Sequence, residues 1–552
     1  MMDATHVMRQ GIFDRNSDEY RSMKDAYGQN DPYPHCIIKD FCDDAILRRV
    51  REEIIENFDA TYKETDLFKM LQTVDLANLN ALDDEKKKKI PNLLALRDAV
   101  YSKEFREFVS EITGCGELSD TTDCACNIHP VGGHLLCHDD VIGDRRVSYI
   151  IYLTDPDKGW SEEDGGALEL YPEDPEAPQV PYPIPTATAL PIWNTMAMFK
   201  VQPGKSFHSI QEVMTNEKPR MSLQGWFHGP LPDKEENAAL PTLQMLQSRG
   251  GGDKGNSVKE YNEFMSVSGT ERVVGDDEPY TISAQDAEYL KQWINPMYLD
   301  GRGTAKIQEK FACDGSIHLI NILNEETAEK VQRDMLQIDA EDGVGHGKRP
   351  AYDAGMKDGW TLRGPAHMQR YLEFTGDAST QESTHRRLGS TMRELCDKVI
   401  CSVPFANLIR SFTTLTMDGV NRREIRRFRP GLDYTVAHYG ILTKDPRLDV
   451  VLTFVDEASM DESSWADGEC GGFEAYLLAD EEEDGPAEVY RQAQDDESGV
   501  LNISAAFNAI SIVLRDEGLM RFVKYVASSA PGSRWDVSVE CVPQDDSDDE
   551  EE

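Results

Sequence analysis

Apolar positions recur along this chain in two rhythms. Over residues 40–57 the run Phe-Cys-Asp-Asp-Ala-Ile-Leu-Arg-Arg-Val-Arg-Glu-Glu-Ile-Ile spaces its apolar residues three and four apart behind an acidic start, which predicts an amphipathic helix. Similar patterns cover 93–113, 284–294 and 325–337. Between about 124 and 230 the rhythm shortens to strands. Residues 147–154 are β-branched and aromatic, and 165–171 and 196–201 add short apolar runs with turn residues between them. Such strands suit a small barrel or sandwich with the early helices packed outside it, an α+β domain over 31–230.

Candidate chemistry sits at the edge of the first strong strand. His138 and Asp140 are two residues apart, a spacing that sends both side chains to one face of a strand. If His208 joins them, two nitrogens and one carboxylate form the facial triad that holds Fe(II) and leaves positions open for a co-substrate and O2. Arg220 follows His208 by twelve residues, with Ser222 two further on. A hairpin of that length can return a guanidinium and a hydroxyl to the same barrel mouth, where the planar cation suits a carboxylate. A His-x-Asp pair alone is as readily a surface turn; the strands around this one favour the metal reading.

The order His138-x-Asp140, a strand, Gly165-Gly-x-Leu-x-Leu-Tyr171, His208 and Arg220-x-Ser222 resembles the 2-oxoglutarate- and Fe(II)-dependent oxygenases. The stretches Leu-Leu-Cys-His138-Asp-Asp140, Gly143-x-Arg-Arg146 and Gly225-Trp-Phe-His-Gly-Pro230 are similar, more narrowly, to the ribosomal prolyl 3-hydroxylases. The likeness runs from Pro32-Tyr-Pro-His35 to about Glu540. It implies two double-stranded β-helix (jelly-roll, cupin-like) domains with flanking helices, the second a degenerate repeat. It implies His138, Asp140 and His208 as iron ligands, and Arg220 with Tyr152 as the holders of the distal carboxylate of 2-oxoglutarate, supported by Ser222. By strand periodicity alone Tyr152 is equally a barrel-lining aromatic. The implied cofactors are Fe(II), 2-oxoglutarate and O2 as co-substrates, and ascorbate. The implied activity is 3-hydroxylation of a proline in the decoding-centre protein of the small ribosomal subunit, affecting translation accuracy and termination, in nucleus or cytoplasm. An oxygenase with another protein or nucleic-acid substrate is one alternative. An adaptor working with translation-termination factors is the other.

Composition adds domain limits. Residues 1–30 are polar and are expected to be a flexible N-terminus; 231–285, with the Gly-rich stretch 248–257, is expected to be a linker; 543–552 is an acidic tail expected to be disordered. The remaining span, 286–542, carries an echo of the first domain. Tyr434-Thr-Val-Ala-His438-Tyr-Gly440 falls where His138-Asp-Asp140 would, Gly471-Gly-Phe-Glu-Ala-Tyr476 matches Gly165-Gly-Ala-Leu-Glu-Leu170, and Asn508 matches Asn194. Fourteen residues after Asn508 stands Phe522, against His208 after Asn194, and Arg534 keeps the twelve-residue offset of Arg220. Gly440 and Phe522 leave one metal ligand of three, so this domain is expected to be catalytically silent and His438 an ordinary hydrogen-bonded histidine. Gly343-Val-Gly-His-Gly347 lacks the Lys-Ser/Thr of a phosphate loop, and Trp360, Arg370 and Tyr371 read as packing.

The chain has 552 residues and a net charge of −44, which disfavours phosphate-driven nucleic-acid binding and favours a basic protein partner as well as plain solubility. Eleven cysteines, odd in number and without paired Cys-x-x-Cys motifs, point to reduced thiols. No leader pattern opens the sequence and no apolar run is long enough to span a membrane, so no membrane partner is expected.

Overall fold

The computed structural model describes residues 6–73, 76–230, 261–272, 280–376, 383–438, 443, 445–457, 465–478 and 501–544. The Gly-rich stretch 248–257, the acidic runs at 480–484 and 545–552, and Gly440 lie outside them. The described residues form two compact units, one of residues 6–230 with Pro365–Met368 and one of the remainder from 261 onward.

In the first unit thirteen strands follow in order: β1 (His35–Ile38), β2 (Ala60–Glu64), β3 (Phe68–Thr73), β4 (Asp123–His129), β5 (His134–His138), β6 (Arg145–Tyr152), β7 (Leu168–Leu170), β8 (Glu173–Asp174), β9 (Ala177–Pro181), β10 (Ala187–Ala189), β11 (Met196–Lys200), β12 (His208–Ile210) and β13 (Arg220–His228). Eleven make one antiparallel, nearly closed sheet in the order β1-β11-β6-β13-β4-β3-β5-β12-β7-β10, with β2 on β3; β8 and β9 form a separate hairpin. Strand parity sorts the side chains. Val147, Tyr149, Ile151 and Leu153 face outward into a core with the helices, whereas Ile150 and Tyr152 face inward with Leu168, Leu170, Ala197 and Phe199.

The helices outside are Asp44–Asn57, capped by Asp43, and two helices where the sequence pattern showed one, Pro91–Val100 and Lys103–Thr113. The break comes at Ser102, whose hydroxyl accepts from Phe105 N and caps the second helix. Residues 6–30 are not a flexible end. Asp18–Tyr27 is a helix capped by Ser17, and Val7, Met8, Ile12, Tyr20 and Tyr27 are all buried in the outer core. Too few and too scattered to show a period, these apolar residues still find a surface to cover.

The second unit continues with β14 (Ser316–Ile320), β15 (Trp360–Arg363), β16 (Gln369–Phe374), β17 (Met417–Phe428), β18 (Tyr434–Thr435), β19 (Arg447–Phe454), β20 (Glu474–Leu478), β21 (Leu501–Ile503), β22 (Ala509–Arg515), β23 (Leu519–Val523) and β24 (Arg534–Pro543). The larger sheet runs β14-β22-β19-β24-β17-β16-β15 with β18 on β16, and the smaller runs β21-β20-β23. Helices Ala284–Leu290, Thr304–Asp314, Glu325–Glu341, Thr384–Glu394 and Val403–Thr413 accompany them. Part of the expected linker belongs to this unit: Phe264 is buried in its core, and Asn262 and Met265 bridge to Val420 and Ser402.

Two local devices recur in both units. Asn194 and Asn508 each hold φ above +50° and clamp both backbone groups of one residue, Cys42 at 2.8 and 2.9 Å and Leu323 at 2.9 and 3.1 Å. Gly165 and Gly471 both lie at positive φ where a Cβ would meet a carbonyl, of Glu212 and of Tyr525. The strand pairing also corrects the spacing argument. His208 lies opposite Leu170, four residues after Gly166; the residue opposite Tyr476, four after Gly472, is Arg521, and Phe522 faces Ala475. The loop before β23 is one residue shorter than the fourteen-residue offset assumed. His438 is also not hydrogen-bonded at Nδ1; burial, then the charge of Arg422, lowers it to about 4.

Replacing Asn194 by Ala removes two buried hydrogen bonds and a residue suited to φ +57°. A loss of about 1–3 kcal/mol in denaturant unfolding is expected, with Asn194→Gly intermediate because it keeps the backbone freedom.

Candidate active site

The pairing of β5 with β12 sets His138 directly across from His208, and the turn after β5 brings Asp140 between them. Asp140 takes φ +60°, a conformation that aspartate tolerates better than most residues. One ligand atom from each of the three lies within 4.8 Å of the others, and this is the one such group among the described residues. His138 Nε2 is 3.3 Å from Asp140 Oδ1, and His208 Nε2 is 3.3 Å from Asp140 Oδ2.

Tautomers follow from the backbone. His138 Nδ1 lies 2.8 Å from the Leu136 carbonyl and His208 Nδ1 2.9 Å from that of Ser206; a carbonyl only accepts, so each Nδ1 carries the proton. Both Nε2 lone pairs then face the carboxylate. Oxygen and nitrogen lone pairs this close repel one another unless a cation stands among them. Two ligands at right angles on a metal at about 2.1 Å lie roughly 3 Å apart, close to the spacing here. His208 Nε2 is buried with no hydrogen-bond partner, and Ser148 Oγ donates to Asp140 Oδ2 at 2.7 Å, aiming the carboxylate. Burial alone would raise the Asp140 carboxyl; positive charge on the two imidazoles, in the place a metal would fill, holds it well below the usual carboxylate range. Burial likewise opposes charge on His138, yet contact with Asp140 raises its proton affinity. The donor set fits a divalent cation.

Deeper inside, Arg220 opens β13 fully buried. Its Nε donates to the Gly166 carbonyl at 2.7 Å, and Gly166 leaves room for the stem, since a Cβ there would lie 3.0 Å from Arg220 Cδ. Nη1 donates to Ser222 Oγ at 3.4 Å, whereas Nη2 has no partner. Tyr152 pairs with Ser222 across β6 and β13, its ring centroid 5.2 Å from the guanidinium carbon, and its hydroxyl is also unpartnered. Burial lowers Arg220 and raises Tyr152, each partly offset by the other, leaving a cation beside a neutral phenol.

Two further residues escaped the sequence reading. His129 lies opposite Arg220 on β4, fully buried, with neither ring nitrogen hydrogen-bonded. Burial, then the charges of Arg220 and His134, push it well below 6.5, so it is a neutral ring facing the guanidinium. The parity of β4 with Asn127 was its only signal. Trp226 lies opposite Ser148 near the other end of β13, half-buried, with Arg145 stacked 3.5 Å over it and its indole nitrogen unpartnered. His228 bridges Asp144 at 2.7 Å and Asp123 at 3.2 Å, and Asp123 also pairs with Arg145. Along one face of β13, Arg220 and Ser222 at one end are thus followed by Trp226, opposite the Ser148 that holds Asp140.

Family comparisons agree with this geometry. Residues 124–228 match the model described as 2OG-Fe(II) oxygenase superfamily, and 285–550 match the model described as oxoglutarate and iron-dependent oxygenase degradation C-term. The prolyl 3,4-dihydroxylase OGFOD1 of Ostreococcus tauri is 38% identical over 507 residues, covering 92% of this chain and 94% of that protein. The chain belongs to the OGFOD1 prolyl hydroxylase family. Prolyl 3-hydroxylase sudestada1 of Drosophila melanogaster and prolyl 3-hydroxylase OGFOD1 of Xenopus laevis are each 27% identical, covering 92% and 90% of this chain and 82% and 83% of their own. Membership of the OGFOD1 family makes the chain a 2-oxoglutarate- and Fe(II)-dependent dioxygenase that hydroxylates prolyl residues, with a protein as its substrate. Among the described residues no helix is long and apolar enough to cross a membrane.

A neutral His129 gives a stability term with a definite sign. Its folded pKa is depressed, so the term is complete above the ordinary 6.5 and is lost as pH falls below that value, where the unfolded chain takes up a proton that the folded one refuses. His129→Gln is expected to flatten the fall of the melting midpoint between about pH 6.5 and 5, measured against the parent chain.

Proposed function

We propose that His138, Asp140 and His208 ligate ferrous iron, and that Arg220, Tyr152 and Ser222 bind the far carboxylate of 2-oxoglutarate. His129 adds a hydrogen-bond donor to that carboxylate. The observation that carries this reading is a set of buried groups left without partners: the His208 Nε2 lone pair on one side, and Arg220 Nη2 and the Tyr152 hydroxyl on the other. A buried donor without an acceptor costs about 1–3 kcal/mol, and a dicarboxylate that also reaches a metal satisfies them together. Iron supplies the chemistry of oxidative decarboxylation of 2-oxoglutarate to succinate and CO2, coupled to oxygenation of a C–H bond.

The chain's own side chains bind, orient and exclude. Arg220 neutralises the carboxylate in a region that water does not enter, where the pairing is strong. Ile150, Leu168 and Phe199 line the interior and keep solvent from the reacting atoms. Trp226, half-buried under Arg145 and opposite Ser148, offers the prolyl ring an aromatic surface near the triad. The substrate in this reading is a proline of the decoding-centre protein of the small ribosomal subunit, modified at C3, in nucleus or cytoplasm. A chain of net charge −44 attracts so basic a protein at long range.

The second unit is, in the same proposal, a degenerate double-stranded β-helix. Its sheet order β14-β22-β19-β24-β17 parallels β1-β11-β6-β13-β4, and the asparagine clamps and glycine pairs recur at matching places. Arg521 stands at the position of His208, so the unit lacks the metal set and serves to stabilise the chain or to bind partners.

Mass spectrometry of the small-subunit protein, after incubation with the full chain, Fe(II) and 2-oxoglutarate, should show one proline gaining oxygen. Oxidation confined to another protein or to RNA would overturn the substrate assignment. Asp140→Ala should abolish 2-oxoglutarate turnover and leave the fold intact; turnover retained at normal iron loading would overturn the ligand assignment. Arg220→Ala should raise the KM for 2-oxoglutarate by roughly 30-fold or more, in line with the loss of a buried charge partner.

A further inference from the structure

The two units treat the same buried arginine differently. Arg220 and Arg534 each open the strand that runs between two antiparallel neighbours, and each is sealed from solvent. Two residues on, Ser222 pairs with Tyr152 and Asn127, whereas Asp536 pairs with Thr453 and Arg426. Arg534 Nη1 contacts Asp536 Oδ2 directly. Arg426 also grips Asp536, Nε to Oδ1 at 2.7 Å and Nη2 to Oδ2 at 3.1 Å. Glu474, two residues after Gly472 where the first unit has Leu168, accepts from Arg521 Nη2 at 2.6 Å. Arg521 Nη1 lies 3.4 Å from Asp449, which pairs in β19 at the place of Ser148 in β6. Arg220, by contrast, has no carboxylate among its hydrogen-bonding partners.

We propose that Asp536 is a built-in ligand: its carboxylate takes, beside Arg534, the place that a dicarboxylate takes beside Arg220, while Arg521 sets a fixed cation where a metal ligand would stand. This rests on the repeat proposed above. A carboxylate two residues along the same strand is always present, and its effective concentration exceeds that of any free metabolite, so it is not displaced. The second unit is thus saturated by its own chain. It folds with the pocket filled, and neither iron nor 2-oxoglutarate enters it.

The arrangement can be moved from one unit to the other. Ser222→Asp in the full chain gives Arg220 the same internal partner. With Mn(II) in place of Fe(II), calorimetric titration should show affinity for 2-oxoglutarate falling tenfold or more, while the melting midpoint does not drop. A loss of less than tenfold overturns the proposal. If that variant does not fold, Asp536→Ser decides instead. Succinate should raise the melting midpoint of Asp536→Ser by more than it raises that of the parent chain, because an emptied carboxylate site has opened; equal increments overturn the proposal. The parent chain itself should bind one 2-oxoglutarate. Two equivalents would overturn the silent-repeat reading, whereas one equivalent with an unimpaired Ser222→Asp overturns only the built-in ligand.

Discussion

A guanidinium sealed from water with no carboxylate beside it is the constraint around which the first unit is arranged. Such a charge is costly to hold, and the surrounding residues make it tolerable without neutralising it. Gly166 offers a carbonyl and, by lacking a side chain, the space for the arginine stem; Ser222 and Tyr152 supply a hydroxyl and an aromatic face. Burial first, and then the charge of Arg220, keep His129 neutral. In the proposed reading they keep an anion site poised and free of competing acids. The three residues proposed as metal ligands border the same interior, where His208 meets Phe199, so on that reading an anion long enough to touch both ends is selected over a shorter one.

Much of this was legible in the residues. Parity along β6 and β13 places Tyr152, Ser222 and Arg220 on one face. Asp140 reaches His138 by the turn after β5, at φ +60°, and not by the strand parity that the spacing suggested. The convergence of His208 was not a matter of spacing. It depends on which strands pair, and β12 meets β5 across the 69 residues 139–207. His129 and Trp226 were missed because a single histidine or tryptophan in a strand carries no period of its own. What marks them is the absence of a partner in three dimensions, which sequence cannot display.

The misses elsewhere have equally local causes. The N-terminal helix was hidden by composition: its polar residues outnumber the few that dock, yet Tyr20 and Tyr27 bury more surface than their number suggests. Arg521 comes thirteen residues after Asn508, one fewer than separate His208 from Asn194, and in a strand one residue exchanges inside for outside. That single step turns Phe522 away and points Arg521 into an interior that already holds Glu474 and Asp449. The sequence reading put Phe522 at that place and so missed the ion pairs of Arg521 with Glu474 and Asp449.

His138 and His208, the histidines of the proposed metal group, are each set at Nδ1 by a main-chain carbonyl two residues upstream, at Leu136 and Ser206, while Asp140 meets both rings and Phe199 packs on His208. Their aim is therefore written into the course of the polypeptide itself. Any event that peels β5 from β12 displaces both rings at once. On the proposed reading, loss of metal would report local melting at that seam.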